Sequence, residues 1–316
     1  MSFARSFFLP VSQEDMRERG WYYYDFLLIT GDAYVDHPSF GTAVIGRVLE
    51  AEGYRVAVLA QPDWTSPDAF AAMGRPRYGV LIGAGNLDSM VAHYTAAKKR
   101  RHDDAYSPGR KAGLRPDLAT VVYSNRVREA FGDIPIVIGG LETSLRRFAH
   151  YDYWQDKFDA QADLLTYGMG ELASKEIAQR LASGEGPETM TDIRGTCVCV
   201  DTPEACAYEF VEVPSFEEVL ENKTAYAQAN RIEYLEHDPF VGRAIVQKHG
   251  KKYLLTNPPA RPLTTPEMDQ VAELPYVREP HPMYDALGGV PAIEEVRFSV
   301  THNRGCFGAC NFCSLA

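Results

Sequence analysis

No stretch of about 18 consecutive apolar residues occurs in this chain, so no membrane-spanning helix is read from it. The apolar patch around Phe7, Phe8 and Leu9 is too short for a secretory signal, and Arg17 and Glu18 soon follow. Positive charge is in short supply: 32 lysines and arginines stand against 43 aspartates and glutamates, a net charge of −11. That balance argues against a protein built mainly to bind nucleic-acid backbones. Cysteine is scarce too, six in 316 residues. Without a sign of export these read as free thiols or ligands, not a disulfide framework, and the expected compartment is the cytosol. Internal repeats and low-complexity tracts are lacking. What is present is an ordinary globular composition, 45% hydrophobic and 24% charged, in a chain long enough for two domains with cores.

The first half reads as strands alternating with helices. Short apolar runs at 25–30, 54–59, 78–83, 134–138 and 163–167 predict buried parallel strands. Helical spacing is found at 42–52, ended by Gly53, and helices also fit at 117–131 and 171–181. Strands spaced by helices imply a parallel sheet covered on both faces, so residues 1–203 are expected to form a Rossmann-like or flavodoxin-like domain. Gly83-Ala84-Gly85 and Gly139-Gly140 follow apolar strands, where they could admit a ligand to the switch-point crevice or simply make tight turns.

Residues 204–290 are mixed. A polar helix fits 216–236, and a hairpin is signalled where two apolar runs flank His249-Gly250. Seven prolines from Pro258 to Pro282 then predict an ordered linker with no regular element. A new strand is expected over 294–300, opening a third region, 291–316. The charged stretch Lys98-Lys99-Arg100-Arg101-His102-Asp103-Asp104 reads as a solvated loop rather than an anion or RNA contact. Cys197 and Cys199 alternate in a strand-like run, so they share a face. With Cys206 they could bind metal, but two small side chains on a buried strand face is the simpler expectation.

The chemistry is concentrated in Arg304-Gly305-Cys306-Phe307-Gly308-Ala309-Cys310-Asn311-Phe312-Cys313. Three thiolates at C-x3-C-x2-C spacing on one glycine-containing loop can grip three irons of a four-iron cluster and leave the fourth open. A Cys3His zinc site completed by His302, or inert thiols, are the alternatives on residues alone.

C-x3-C-x2-C with an aromatic before the last cysteine resembles the radical S-adenosylmethionine (SAM) signature. The string from Ile293 to Cys306, Gly31-Asp32-Ala33-Tyr34-Val35-Asp36-His37-Pro38-Ser39-Phe40-Gly41 and His237-Asp238-Pro239-Phe240 resemble the YgiQ-like family of radical SAM proteins, and the similarity runs over the whole chain. The resemblance implies that Cys306, Cys310 and Cys313 bind a [4Fe-4S] cluster whose open iron takes SAM. It implies that an electron passed through the cluster cleaves SAM to a 5′-deoxyadenosyl radical, which takes hydrogen from a substrate. Phe312 would lie near the adenine. An electron donor such as flavodoxin or ferredoxin is implied as partner.

The same resemblance makes the first domain cobalamin-binding-like. The axial-histidine pattern D-x-H-x-x-G is broken, however, because Asp36 is adjacent to His37 and Gly41 lies four further on. His37 is therefore expected to be a loop histidine, and cobalamin is not expected. A (β/α) barrel needs about 250 residues, and only its first strand and cluster loop are read here. The chain alone is thus expected not to turn over SAM, and a completing C-terminal polypeptide is an expected partner. The competing function is a non-catalytic ligand- or partner-binding module with a vestigial or zinc-binding cysteine loop.

Overall fold

The computed structural model describes residues 5–148, 160–301 and 304. Its strands are β1 (Phe26–Thr30), β2 (Val56–Ala60), β3 (Gly79–Gly83), β4 (Ile136–Gly139), β5 (Leu164–Thr166), β6 (Thr196–Val200), β7 (Phe210–Val213), β8 (Ala244–His249) and β9 (Lys252–Thr256). Among the described residues they form one sheet in the order β2-β1-β3-β4-β5-β6-β9-β8-β7. The first five strands are parallel. Their order, 2-1-3-4-5, is a doubly wound one, in which the direction of winding reverses between β1 and β3.

Every residue of β1 is buried, as expected for a strand covered on both faces. Side chains alternate across it. Phe26 and Leu28 join one core with Val44, Val48 and Ile177, from the helices Gly41–Ala51 and Glu171–Ala182. Leu27 and Ile29 join the other core with Tyr123 and Val127, from the helix Ala119–Phe131. Shifting β1 by one residue would exchange these two sets, so the register is fixed by packing on both sides. Gly53, with φ +90°, ends the first of these helices, and the Tyr54 N–H donates back to the Leu49 carbonyl at 3.1 Å.

Past residue 203 the sheet continues without a break. β6 pairs antiparallel with β5 and β9, β8 and β9 form the hairpin at Gly250, and β7 lies parallel to β8 at the edge. Two short helices cover this end. The expected single helix over 216–236 is divided at Asn222, whose extended backbone breaks the first helix (Phe216–Glu221). Its side chain then accepts the Thr224 N–H at 2.8 Å and caps the second (Lys223–Leu235). Among the described residues no helix is long and apolar enough to cross a membrane.

Two further expectations are corrected. The proline-rich segment contains a regular helix, Thr265–Ala272. Pro266 stands in its first turn, where a missing N–H costs nothing, and Thr264 and Glu267 make a capping box. The strand expected over 294–300 is instead a helical turn, Ile293–Val296, followed by irregular chain. Glu294 and Glu295 lie in its first turn, where carboxylates favour a helix start. Its amides find partners locally: Glu294 N–H donates to Pro291 O at 3.0 Å and Arg297 N–H to Ile293 O at 2.8 Å.

Candidate functional site

In a doubly wound sheet the crevice lies beyond the carboxyl ends of the strands, where the winding reverses. In this chain that place is at the ends of the neighbouring strands β1 and β3. The chain leaves β1 through Gly31 and β3 through Gly83-Ala84-Gly85, and the two exits touch. The Gly31 N–H donates to Gly83 O at 3.2 Å, and a Cβ on Gly31 would lie 2.2 Å from the Ala84 carbonyl oxygen. Only glycine allows this approach.

A cavity of about 330 Å³ opens above these exits. Leu28, Leu81 and Val137 from β1, β3 and β4 contribute to its apolar floor, and Ser39, Asn86, Glu171 and Arg304 supply polar groups. Gly83, Gly85, Gly139 and Gly140 all line it, so the glycine runs noted in the sequence do meet at the crevice. Asn86 ties its rims together: its N–H donates to Asp32 Oδ2 at 2.7 Å and its side-chain amide to Ser39 O at 2.9 Å.

Beneath the rim lies a buried charge network. Arg115 Nη2 is 2.9 Å from both Asp32 Oδ1 and Asp104 Oδ2, all three side chains being almost fully buried. Its Nη1 donates to Ala84 O at 3.1 Å. Burial pushes the Asp32 carboxyl up to about 6, against the pull of the Arg115 guanidinium. The network thus clamps both chain exits to one guanidinium. The sequence reading missed it, since Asp32, Asp104 and Arg115 follow no local spacing.

The loop after β1 is held from the opposite side by the segment 276–293. Asp36 pairs with Arg47 in a buried ion pair and accepts the Val277 N–H at 3.0 Å. His281 N–H donates to Tyr34 O at 3.0 Å, and the Tyr34 N–H donates to the Tyr284 hydroxyl at 2.9 Å. His37 is buried, and its Nδ1 accepts the Ser39 N–H at 3.1 Å. Pro38 and Ser39 line the cavity beside it. Burial, reinforced by Arg278, lowers the His37 pKa from the usual histidine value.

Cys306, Cys310, Cys313, Phe312 and His302 lie outside the described residues. The described residue nearest to the first of these cysteines is Arg304, which enters the cavity and pairs with the buried Glu171. Neither residue was singled out from the sequence, although Gly168-Met169-Gly170-Glu171 at a strand-to-helix junction was a usable signal. The other cysteines correct an expectation. Cys197 is buried, 3.4 Å from the Thr256 hydroxyl, but Cys199 on β6 is exposed and Cys206 half-buried. Among the described residues, no group of three or more His, Cys, Asp or Glu could hold a metal ion. The residues whose chemistry suits an iron–sulfur cluster are Cys306, Cys310 and Cys313, three soft sulfur side chains within eight residues of sequence.

A family model described as Radical SAM N-terminal matches residues 8–299. The chain is similar to a UPF0313 protein of Clostridium botulinum (strain ATCC 19397 / Type A), 52% identical over 314 residues, covering 98% of this chain and 48% of that protein. It is likewise similar to a UPF0313 protein of Clostridium perfringens (strain SM101 / Type A), 50% identical, covering 98% of this chain and 47% of that one. The chain spans about half the length of the curated relatives it matches.

Proposed function

This chain belongs to the Radical SAM N-terminal family, and from that premise we propose that it is the N-terminal part of a radical SAM enzyme. The observation that carries the reading is the C-x3-C-x2-C spacing of Cys306, Cys310 and Cys313, a few residues beyond the family-matched region. Deprotonated, these three side chains would hold three irons of a [4Fe-4S] cluster. When bound, the cluster would supply the electron that cleaves SAM reductively to a 5′-deoxyadenosyl radical. Phe312, beside the last ligand, would offer a face to the adenine. The doubly wound region would supply a rigid platform, because the Arg115 network and the segment 276–293 fix the loops on its carboxyl side. An electron donor such as flavodoxin or ferredoxin and a completing C-terminal polypeptide are part of the proposal.

Anaerobic reconstitution with iron and sulfide tests it. The expected product is a brown protein with about four irons and four sulfides per chain, whose spectrum changes on adding SAM. Serine at Cys306, Cys310 or Cys313 should abolish the colour. A colourless protein, or one holding zinc without sulfide, favours the non-catalytic binding module instead.

A further inference from the structure

We propose that Arg304 is a positioning residue: by pairing with Glu171 it holds the chain just before the cysteine motif to the carboxyl side of the sheet. The inference rests on the proposed role of Cys306, Cys310 and Cys313, which gives the seating its purpose.

Residues 289–297 are well attached to their surroundings. Gly289 O accepts the Gly109 N–H at 2.9 Å, Ala292 N–H donates to Ala105 O at 3.0 Å, and Ile293 is buried. Arg297 pairs with Glu279 at 3.1 Å. Beyond this the apolar side chains turn away: Phe298 is 94% exposed and Val300 83%. Apolar packing therefore does not direct the chain toward the cysteines.

Arg304 then returns to the doubly wound region. Its partner Glu171 opens the helix Glu171–Ala182 behind β5, with a side chain only 4% exposed against 25% for Arg304. A carboxylate this buried is costly to leave without a counter-charge, so the pair has more weight than a surface ion pair. Arg304 also lines the 330 Å³ cavity. Arg304 is two residues before Cys306. Two residues of chain span at most about 7 Å, so an anchor at Arg304 limits how far the first ligand can stray from the crevice. Arginine suits the task better than lysine because its planar fork fixes direction as well as charge.

Hydrogen exchange on the cluster-free 316-residue chain reads the seating directly. The Arg297 and Ser299 amides, which donate to the Ile293 and Val296 carbonyls, are the reporters. Arg304→Ala and Glu171→Gln should each speed exchange over 297–301 about tenfold, leaving the parallel strands as protected as before. The charge swap Arg304→Glu with Glu171→Arg should recover part of that protection. In the iron-reconstituted chain, Arg304→Ala should weaken the SAM-induced spectral change, and Arg304→Lys should retain more of it. Unchanged exchange in Arg304→Ala, which lies outside every regular element, overturns the anchor even if Glu171→Gln fails to fold. Altered exchange in a chain that takes up no cluster would leave the anchor standing and remove the cluster reading. A normal cluster with unaltered exchange would do the reverse.

Discussion

Gly85 and Asp32 are packed so closely that a Cβ built on the glycine would lie 2.1 Å from the Asp32 carboxylate. The contact joins the chain leaving β3 to the chain leaving β1. Asp32 cannot step aside freely, because Arg115 and the Asn86 N–H hold both its oxygens. Gly85 also has φ +111°, a conformation that side chains resist. Gly85→Ala should therefore cost more than about 1 kcal/mol and distort the crevice rim. Urea denaturation measures the cost; a variant as stable as the parent would show that the rim is not clamped as described.

Arg115 neutralises two buried carboxylates at once. Arg115→Met keeps much of the side chain's volume but strands Asp32 and Asp104, both about 4% exposed. The expected loss is about 3–5 kcal/mol, the range for breaking a buried ion pair from one side. Replacing all three residues together by apolar ones should recover part of it. A loss under about 1 kcal/mol for Arg115→Met would mean that the network is solvated.

His281 sets an acid limit on the packing of the C-terminal segment. Burial lowers its pKa from 6.5 to about 4. A histidine with a depressed folded-state pKa binds its proton more readily when unfolded. Its contribution is thus neutral above pH 6.5 and becomes a growing penalty as pH falls from about 6.5 toward 4. Asp32 works in the opposite direction: its raised pKa adds stability as pH falls from about 6 toward the usual carboxylate value of 3.8. His281 Nδ1 accepts the Met283 N–H at 3.2 Å, a cap that asparagine can also make. His281→Asn should therefore lose less stability than the parent between pH 6.5 and 4. Denaturation midpoints that fall in parallel for both proteins would remove His281 from the account.

The Thr264–Glu267 capping box gives a control on local structure. Arg261 and the Thr264 N–H hold the Glu267 carboxyl well below the usual carboxylate range. Thr264→Ala should cost about 1 kcal/mol and loosen the helix Thr265–Ala272 without touching the crevice. Hydrogen exchange confined to 264–273 is the expected signature; a change that spreads to β1 or β3 would contradict it.

The parallel half of the sheet was legible because its strands are short, mostly buried apolar runs, and composition alone marks such strands. The helix Thr265–Ala272 was not legible from proline content, because a proline in the first turn, as Pro266 is, does not break a helix. The turn at 293–296 was misread because Val296, Phe298 and Val300 alternate like a half-buried strand. That pattern carries no information about whether a neighbouring strand exists, and Phe298 and Val300 face outward. The cysteine loop was conspicuous because its chemistry is local in sequence. Arg304 and Glu171, 133 residues apart, are brought together only by the fold.

Mössbauer spectroscopy of the chain reconstituted with iron-57 without oxygen asks whether Cys306, Cys310 and Cys313 hold three irons and leave a fourth for SAM, as proposed. The expected spectrum is that of a four-iron cluster in which one iron in four changes its environment when SAM is added. Four irons that all ignore SAM, or no cluster at all, would refute the proposal.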